Sequence, residues 1–461
     1  MNDPNGLAHS GSRWHLFYQH HPDSDQWGPM HWGHATSADC LAWEDEPIAL
    51  APNDSFDGAF SGCAVVDDEN ASGFFPEGCG LVVLFTAIRE GAADGGRHEE
   101  QRLGYWDEAQ RRIVVPSGPP AVANPGLADF RDPQVVRLDG IRRWLMVLAC
   151  GDHLRFYASE NLRTWTETGR YSLPGDGSGK ILECPNLIRC VSDEGPRWVL
   201  AVSRVADASR RSEVVYVVGD LVDGRFRSES AATLPVDYGN DFYAPQVWFE
   251  RGGERKRWIG WMNNWAYAGR TAGAGWNGIL SVPRALGIRR IGREYLLIQN
   301  PIPALDLLER AVVASETGSR GSVSFVLDRE RAYRISGSAN AGETFAVQLS
   351  DGAGISYRLE IDSAVGAGRV RRRPPFAAVS AEEEREFRFP PIDSGPLDFT
   401  LVLDGPTIES FLAGGRVVVS DLLRRAPEDS SLRLILQCGG PDASRVRCVE
   451  LEGVMRPGEG R

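Results

Sequence analysis

Three carboxylates sit in settings that ordinary surface acids do not share. Asp3 lies in Met1-Asn2-Asp3-Pro4-Asn5-Gly6-Leu7, Asp132 in Phe130-Arg131-Asp132-Pro133, and Glu183 in Ile181-Leu182-Glu183-Cys184-Pro185. Pro4 fixes its own φ and drives Asp3 towards an extended backbone, while Asn5-Gly6 is a turn signal. Asp3 is therefore expected at the end of an extended segment beside a tight turn. Asn2, Asn5 and free backbone donors around it suit an ionised group. Taken alone, the stretch reads equally as a surface turn in which Asp3 caps a backbone N–H. Glu183 is flanked by apolar residues, which suits a protonated carboxyl. Asp132, next to Arg131, is expected to stay ionised and to hold hydroxyl groups rather than shuttle protons; a structural ion pair with Arg131 is the plain alternative. One protonated and one ionised carboxylate flanking a bond are what glycoside hydrolysis requires.

For acids so far apart to meet, the elements carrying them must converge. Strand signals dominate the first two thirds of the chain, as in Trp14-His15-Leu16-Phe17-Tyr18-Gln19. Similar segments open on Arg13-Trp14, Arg143-Trp144, Arg197-Trp198 and Arg257-Trp258, and an unmarked one, Leu81-Val82-Val83-Leu84-Phe85, falls in the long first gap. That makes five units of roughly 55–65 residues, the size of a propeller blade of about four strands. Asp3, Asp132, Glu183 and Asp241 each lie shortly before a marked strand, and Phe60-Ser61-Gly62 lies before the unmarked one. In a propeller the innermost strands line one funnel, so such positions would meet there. Of the many aromatic residues nearby, Trp27 and Trp261 are assigned to ligand contact, where a ring face packs on the C–H face of a sugar. The rest are assigned to core.

The chain has 461 residues, more than one core usually reaches, so two domains are expected. The first is expected over 1–297, a linker with a short helix over 298–312, and a β-sandwich over 313–461, where short alternating strands run between turn signals. Arg371-Arg372-Arg373 and Glu382-Glu383-Glu384 read as solvated loops or edges. A net charge of −13 argues against nucleic acid. No apolar run is long enough for a membrane span. The eight cysteines contain no Cys-x-x-Cys pair. His31-x-x-His34 lacks the further ligands that zinc needs, so neither metal nor other cofactor is expected. Oligomeric state is left open.

The ordered set Asn2-Asp3-Pro4-Asn5-Gly6, Phe17-Tyr18-Gln19, Trp27-Gly28-Pro29-Met30-His31-Trp32-Gly33-His34, Phe60-Ser61-Gly62, Arg131-Asp132-Pro133, Glu183-Cys184-Pro185 and Asp241-Phe242-Tyr243-Ala244 resembles the motifs of glycoside hydrolase family 32, the invertases, levanases and inulinases. Asp404–Phe411 resembles the family's sandwich motif more loosely. The resemblance implies an all-β chain, a five-bladed β-propeller followed by a C-terminal β-sandwich. It implies Asp3 as nucleophile, Glu183 as acid/base and Asp132 as transition-state stabiliser. Asn2, Gln19, Trp27, Phe60, Ser61, Arg131 and Trp261 would line the terminal-fructose subsite, with Asp241 a further contact. Gly260–Tyr267 looks most like exo-acting levanases and inulinases.

The expected activity is therefore retaining exo-β-fructosidase action on levan- or inulin-type fructans, fructo-oligosaccharides and sucrose. Invertase or sucrose-6-phosphate hydrolase is the main alternative. A fructosyltransferase and a catalytically silent sugar-binding protein are further ones. Family members usually carry residues before the first motif, so the chain is expected to be truncated or to start late. A form with its upstream segment is expected to be more active and more stable. Localisation is open: extracellular if a signal peptide preceded Met1, cytoplasmic if the start is as written.

Overall fold

Leu81-Val82-Val83-Leu84-Phe85 is buried without a break, and its side chains divide between two cores. A strand that is apolar on both faces must lie between two neighbours. The computed structural model shows this arrangement throughout the first part of the chain. It describes residues 1–453 except 77, 92–95, 139–142, 176–179, 207–210, 251–255, 271–276, 318–320, 341–343, 353, 375–381, 393–394, 424–430 and 438–445.

The described residues fall into two units, 1–236 with 242–297, and 237–241 with 298 onward. The first is a β-propeller. Its strands form antiparallel sheets in chain order, whose first strands are Pro4–Ser10, Gly58–Asp67, Arg131–Leu138, Lys180–Ser192 and Tyr243–Val247. Each of these strands contacts the next, and the last returns to the first. The closure is made by backbone: His9 N–H donates to Phe249 O at 3.0 Å and Phe249 N–H to Leu7 O at 2.9 Å. The Arg-Trp segments lie on the second strands, Arg13–His20, Arg143–Cys150, Gly195–Ala206 and Lys256–Trp261. Apolar cores fill the spaces between successive sheets: one joins the first two around Phe17, Trp32 and Phe85, and another joins the third and fourth around Val147, Leu187 and Leu200.

Every first strand carries a β-bulge at the same place, with two residues opposing one on the second strand. The paired residues that bracket the bulges are Asn5/Ala8, Ala59/Gly62, Arg131/Gln134, Glu183/Asn186 and Tyr243/Gln246. Bulges bend a strand and re-aim its side chains. Asp132, Cys184 and Ala244 occupy the bulges at φ 63°, 44° and 45°, each directly before a proline. Positive φ at such residues costs on the order of 1–3 kcal/mol and persists where the surroundings impose it. In the first sheet the position falls to Gly6, at φ 52°; a Cβ there would lie 2.7 Å from Phe17 Cδ2. Asn5-Gly6 is thus the bulge of a continuing strand, not the tight turn expected from its sequence.

The second unit is a β-sandwich. One sheet orders Glu309–Val312, Arg447–Leu451, Ala332–Ala339, Leu397–Asp404, Thr407–Leu412 and Val417–Leu422. The other orders Glu316–Thr317, Ser322–Asp328, Ser431–Gln437, Thr344–Asp351, Gly354–Asp362, Ala367–Arg372 and Glu383–Arg388. One core lies between them, with Phe345 and Phe399 at 4.8 Å between ring centroids. The stretch 298–312 holds the end of strand Glu294–Pro301, a short 3-10 helix Pro303–Leu308 where a short helix was expected, and the paired strand Glu309–Val312. The acidic run lies at an edge, as one of the two readings had it: Glu383–Arg388 is the last strand of its sheet, paired with Ala367–Arg372, and Arg371 faces Glu384 and Arg369 faces Glu386. Arg372 is fully buried. The seven described cysteines are free. No described helix is long and apolar enough to cross a membrane.

Candidate active site

The bulges explain which residues meet. Asn5, Ala59, Arg131, Glu183 and Tyr243 hold the same position, immediately before the bulge, on successive first strands. Three of them form one cluster. Arg131 Nη2 donates to Glu183 Oε1 at 3.1 Å, and the Tyr243 hydroxyl donates to Glu183 Oε2 at 2.5 Å. Two bulge residues, Asp132 and Cys184, adjoin this cluster. Cys184 N–H donates to Asp132 Oδ2 at 2.9 Å, and Cys184 Sγ lies 3.6 Å from both Asp132 Oδ2 and Asp3 Oδ2. One thiol therefore touches two carboxylates whose positions in the chain differ by more than a hundred residues.

Asp3 is fixed from several sides. Its backbone carbonyl accepts Gln19 N–H at 2.8 Å, and Asn2 N–H donates to Gln19 O at 3.1 Å, so the segment before the first strand is paired to the second. Ser61 Oγ donates to Asp3 Oδ2 at 2.8 Å and Asn2 Nδ2 to Oδ1 at 3.1 Å. Gln19 Nε2 donates to Ala59 O at 3.0 Å, tying the first sheet to the second. Asp3 is thus a buried group in a donor-rich wall, not a surface cap.

A cavity of about 480 Å³ opens on these groups. Asn2, Asp3, Gln19, Trp27, Phe60, Ser61, Arg131, Asp132 and Glu183 line it, together with Arg97, Asp129, Ile181, Val205 and Trp265. A smaller cavity of about 60 Å³ shares Asn2, Trp27 and Trp265 with it and adds Trp261. Trp27 is half exposed at the rim and meets Phe60 edge-on, with 5.7 Å between ring centroids. Trp261 is buried against Trp265 at 4.8 Å, and its Nε1 has no hydrogen-bond partner among the described residues. Polar groups on one wall and aromatic faces on another form the lining that a sugar ring needs.

Asp241 does not line this cavity. It belongs to the second unit, with no exposed side-chain surface, ion-paired with Arg372 and accepting Leu422 N–H at 2.7 Å. The place expected for it falls to Tyr243, two residues on. The alternative reading, an Arg131–Asp132 ion pair, is not what the structure shows. The guanidinium of Arg131 turns to Glu183, to Asp129 at 2.5 Å and to Glu99 at 3.2 Å. Nor is Glu183 in an apolar setting: Leu182 and Cys184 point into separate cores, and the carboxylate stands between a cation and a phenol. His31 and His34 do not share a site. His34 is buried, stacked on Phe17 and 3.2 Å from His15 Nδ1, whereas His31 meets Pro29 O.

Burial decides the ionisation of two acids. It raises the Asp3 carboxyl to about 6, with the nearby Glu183 charge adding to it and bonds from Ser61, Asn2 and Cys184 opposing it. Burial also raises Asp132, to about 7, against the pull of Arg131. The expectation that the adjacent cation keeps Asp132 ionised is therefore reversed. The cation still acts on it, but burial, with the charges of Glu183 and Asp3 adding, outweighs it. Cys184, Tyr243, Arg97, Glu99 and Trp265 were not singled out from sequence. For Tyr243 and Cys184 a signal existed: Arg131-Asp132-Pro133, Glu183-Cys184-Pro185 and Tyr243-Ala244-Pro245 are one three-residue pattern.

The chain is similar to several known proteins. Residues 1–301 match the family model described as Glycosyl hydrolases family 32 N-terminal domain. A levanase of Bacillus subtilis (strain 168) is 32% identical over 462 residues, covering 95% of this chain and 67% of that protein. A levanase of Bacillus sp. (strain L7) is 30% identical over 495 residues; the chain spans about half of its length, 52%. The crystal structure of exo-inulinase from Aspergillus awamori superposes with a TM-score of 0.84 at 24% identity, covering 99% of this chain and 96% of that one, a likeness of fold.

Proposed function

We propose, for a chain that belongs to glycoside hydrolase family 32, that it is a retaining exo-β-fructosidase releasing terminal fructose from levan- or inulin-type fructans, fructo-oligosaccharides and sucrose. The observation that carries this reading is Asp3 and Glu183 on the wall of one cavity, each held by its own set of donors, with Asp132 beside them. The names of the relatives, levanases and an exo-inulinase, support the substrate class.

In this reading Glu183 protonates the oxygen leaving the anomeric carbon, and Asp3 attacks that carbon to form a fructosyl-enzyme. Glu183 then takes a proton from water, which displaces Asp3 and frees fructose. Each group has support. Asp3 near 6 is mostly ionised at neutral pH, as a nucleophile must be. Asp132 near 7, on the cavity wall, can give or accept a hydrogen bond to ring hydroxyls. Arg131 and Tyr243 hold both oxygens of Glu183, so the acid is aimed before substrate arrives. Asn2, Gln19, Ser61 and Phe60 form the wall that would take the fructose ring, with Trp27 and Trp261 above it.

The test is product chromatography on levan, inulin and sucrose in parallel, with Asp3→Ala as control. Fructose as the sole early product from a polymer, absent in the variant, is expected. Hydrolysis of sucrose with both polymers untouched would instead make it an invertase.

A further inference from the structure

We propose that Glu99, outside the cavity lining, is a positioning residue that sets how the charge of Arg131 is divided between itself and Glu183; this rests on the role given to Glu183 above. Glu99 lies on the third strand of the second sheet, His98–Asp107, and its side chain has no exposed surface. A bare carboxylate cannot stay there, and this one is met by three groups. Its Oε2 accepts Phe130 N–H at 2.7 Å. Its Oε1 accepts Arg97 Nη2 at 2.7 Å and Nε at 3.0 Å, and Arg131 Nη1 lies 3.2 Å away.

Two arginines of the cavity thus share one buried anion. Arg97 spans from Glu99 to the cavity wall, its guanidinium 4.8 Å from the Phe60 ring centroid. Arg131 spans from Glu99 to Glu183. The same sheet also fixes the backbone on either side of Arg131: Gln101 Nε2 donates to Phe130 O at 2.6 Å, and Asp132 N–H donates to Thr86 Oγ1 at 2.9 Å. That clamp holds the strained residue Asp132 in place. Of the three side chains from this sheet, Glu99 is the charged one, and it acts on Arg131 together with Asp129 and Glu183.

The consequence follows from charge. Glu183 faces Arg131 and Tyr243 directly, with Asp3, Asp132 and Cys184 close by and Asp129 and Glu99 on the far side of Arg131. Removing the negative charge of Glu99 leaves Arg131 more available to Glu183 and favours its ionised form. A general acid must be protonated, so the alkaline limb of the rate profile moves to lower pH. Removing the positive charge of Arg97 has the opposite sign.

The experiment measures kcat and KM on sucrose against pH for the wild type, Glu99→Gln and Arg97→Ala, with Tm alongside. Gln keeps an oxygen for Phe130 N–H; its NH2 replaces the oxygen that faced the two guanidiniums, so the variant loses the charge and that acceptor. For Glu99→Gln the expected result is an alkaline limb lower by about half a pH unit or more, with kcat down roughly tenfold. Arg97→Ala, at a partly exposed side chain, is expected to raise the limb. If Glu99 merely satisfies a backbone N–H, Glu99→Gln has the wild-type kcat and limb, which overturns the inference. Should Glu99→Gln not fold, an unmoved limb in Arg97→Ala overturns it. A wild type that frees no fructose would sink the underlying reading and this inference together; an active wild type with unmoved variants would sink the inference alone.

Discussion

Arg131 and Arg372 are both arginines set among carboxylates, and they serve opposite ends. Arg372, Asp241 and Asp421 have no exposed side-chain surface. Within the second unit, Leu422 N–H donates to Asp241, Asn240 N–H and Nδ2 donate to Asp421 at 3.1 and 2.8 Å, and Arg372 donates to Leu422 O at 3.1 Å. The result staples residues 237–241 into the sandwich. In the first unit, Arg131 is 8% exposed and Glu183 22%, and both stand on the wall of a 480 Å³ cavity. A closed ion cluster fixes a chain segment. The same chemistry facing a cavity keeps oxygens available to an incoming molecule.

Variants that remove one member from each cluster sharpen that contrast. The largest effect is expected from Glu183→Ala and Asp3→Ala, with kcat falling roughly 10³–10⁵-fold at nearly unchanged Tm; a loss of under tenfold would end the assignment. Arg372→Met should do the reverse. It takes the Arg372 cation from two buried carboxylates and costs about 3–5 kcal/mol in the unfolding of the second unit. Turnover per folded molecule should stay within about twofold, as denaturation curves and active-site titration would show. A turnover loss matching that of Glu183→Ala would erase the distinction.

Asp132→Asn should separate activity from stability at one position. The folded carboxyl titrates near 7 and the unfolded one near 3.8. Between these values the unfolded chain releases a proton that the native state keeps, so the wild type loses stability as pH rises from about 4 to 7. Asn has no such proton. The variant should gain on the wild type across that window by on the order of 1–3 kcal/mol, level off above pH 7, and turn over roughly 100-fold more slowly. Parallel urea titrations at pH 5 and pH 8 would expose a constant difference if burial of Asp132 were unimportant. The smallest effect is in the wild type itself. The acid limb of kcat/KM should centre near pH 6, because Asp3 attacks only when ionised. A limb near pH 4 would mean that donors, not burial, govern Asp3.

Much of this was legible in the sequence, for physical reasons. Strands buried on both faces read as unbroken apolar runs, and repeating Arg-Trp segments mark second strands because each sheet repeats one packing problem. Asp132 and Glu183 stood out through prolines that lie in the bulges of their strands, and Asp3 through Pro4, which opens the first strand. What the sequence hid depends on register and direction. Asp241 was given the fifth sheet's place in the funnel because the distance to Arg257 resembled the spacing elsewhere; the bulge gives that place to Tyr243 and leaves Asp241 in the other unit. An Arg131–Asp132 ion pair was the alternative reading, yet the guanidinium reaches Glu183, Asp129 and Glu99, partners distant in the chain or, for Asp129, two residues away. Strands Ala332–Ala339, Ala367–Arg372 and Thr407–Leu412 went unread, as did burial of Arg372, because charge in a sequence does not reveal its partners.

The most direct test of the central claim is where the sugar becomes attached. Glu183→Ala, given β-fructofuranosyl fluoride, can form the intermediate without an acid but lacks the base that hydrolyses it. Peptide mass mapping of the quenched protein should find a hexose on the peptide that contains Asp3. Fluoride release with the hexose on Asp132, or with no attached hexose at all, would contradict the account.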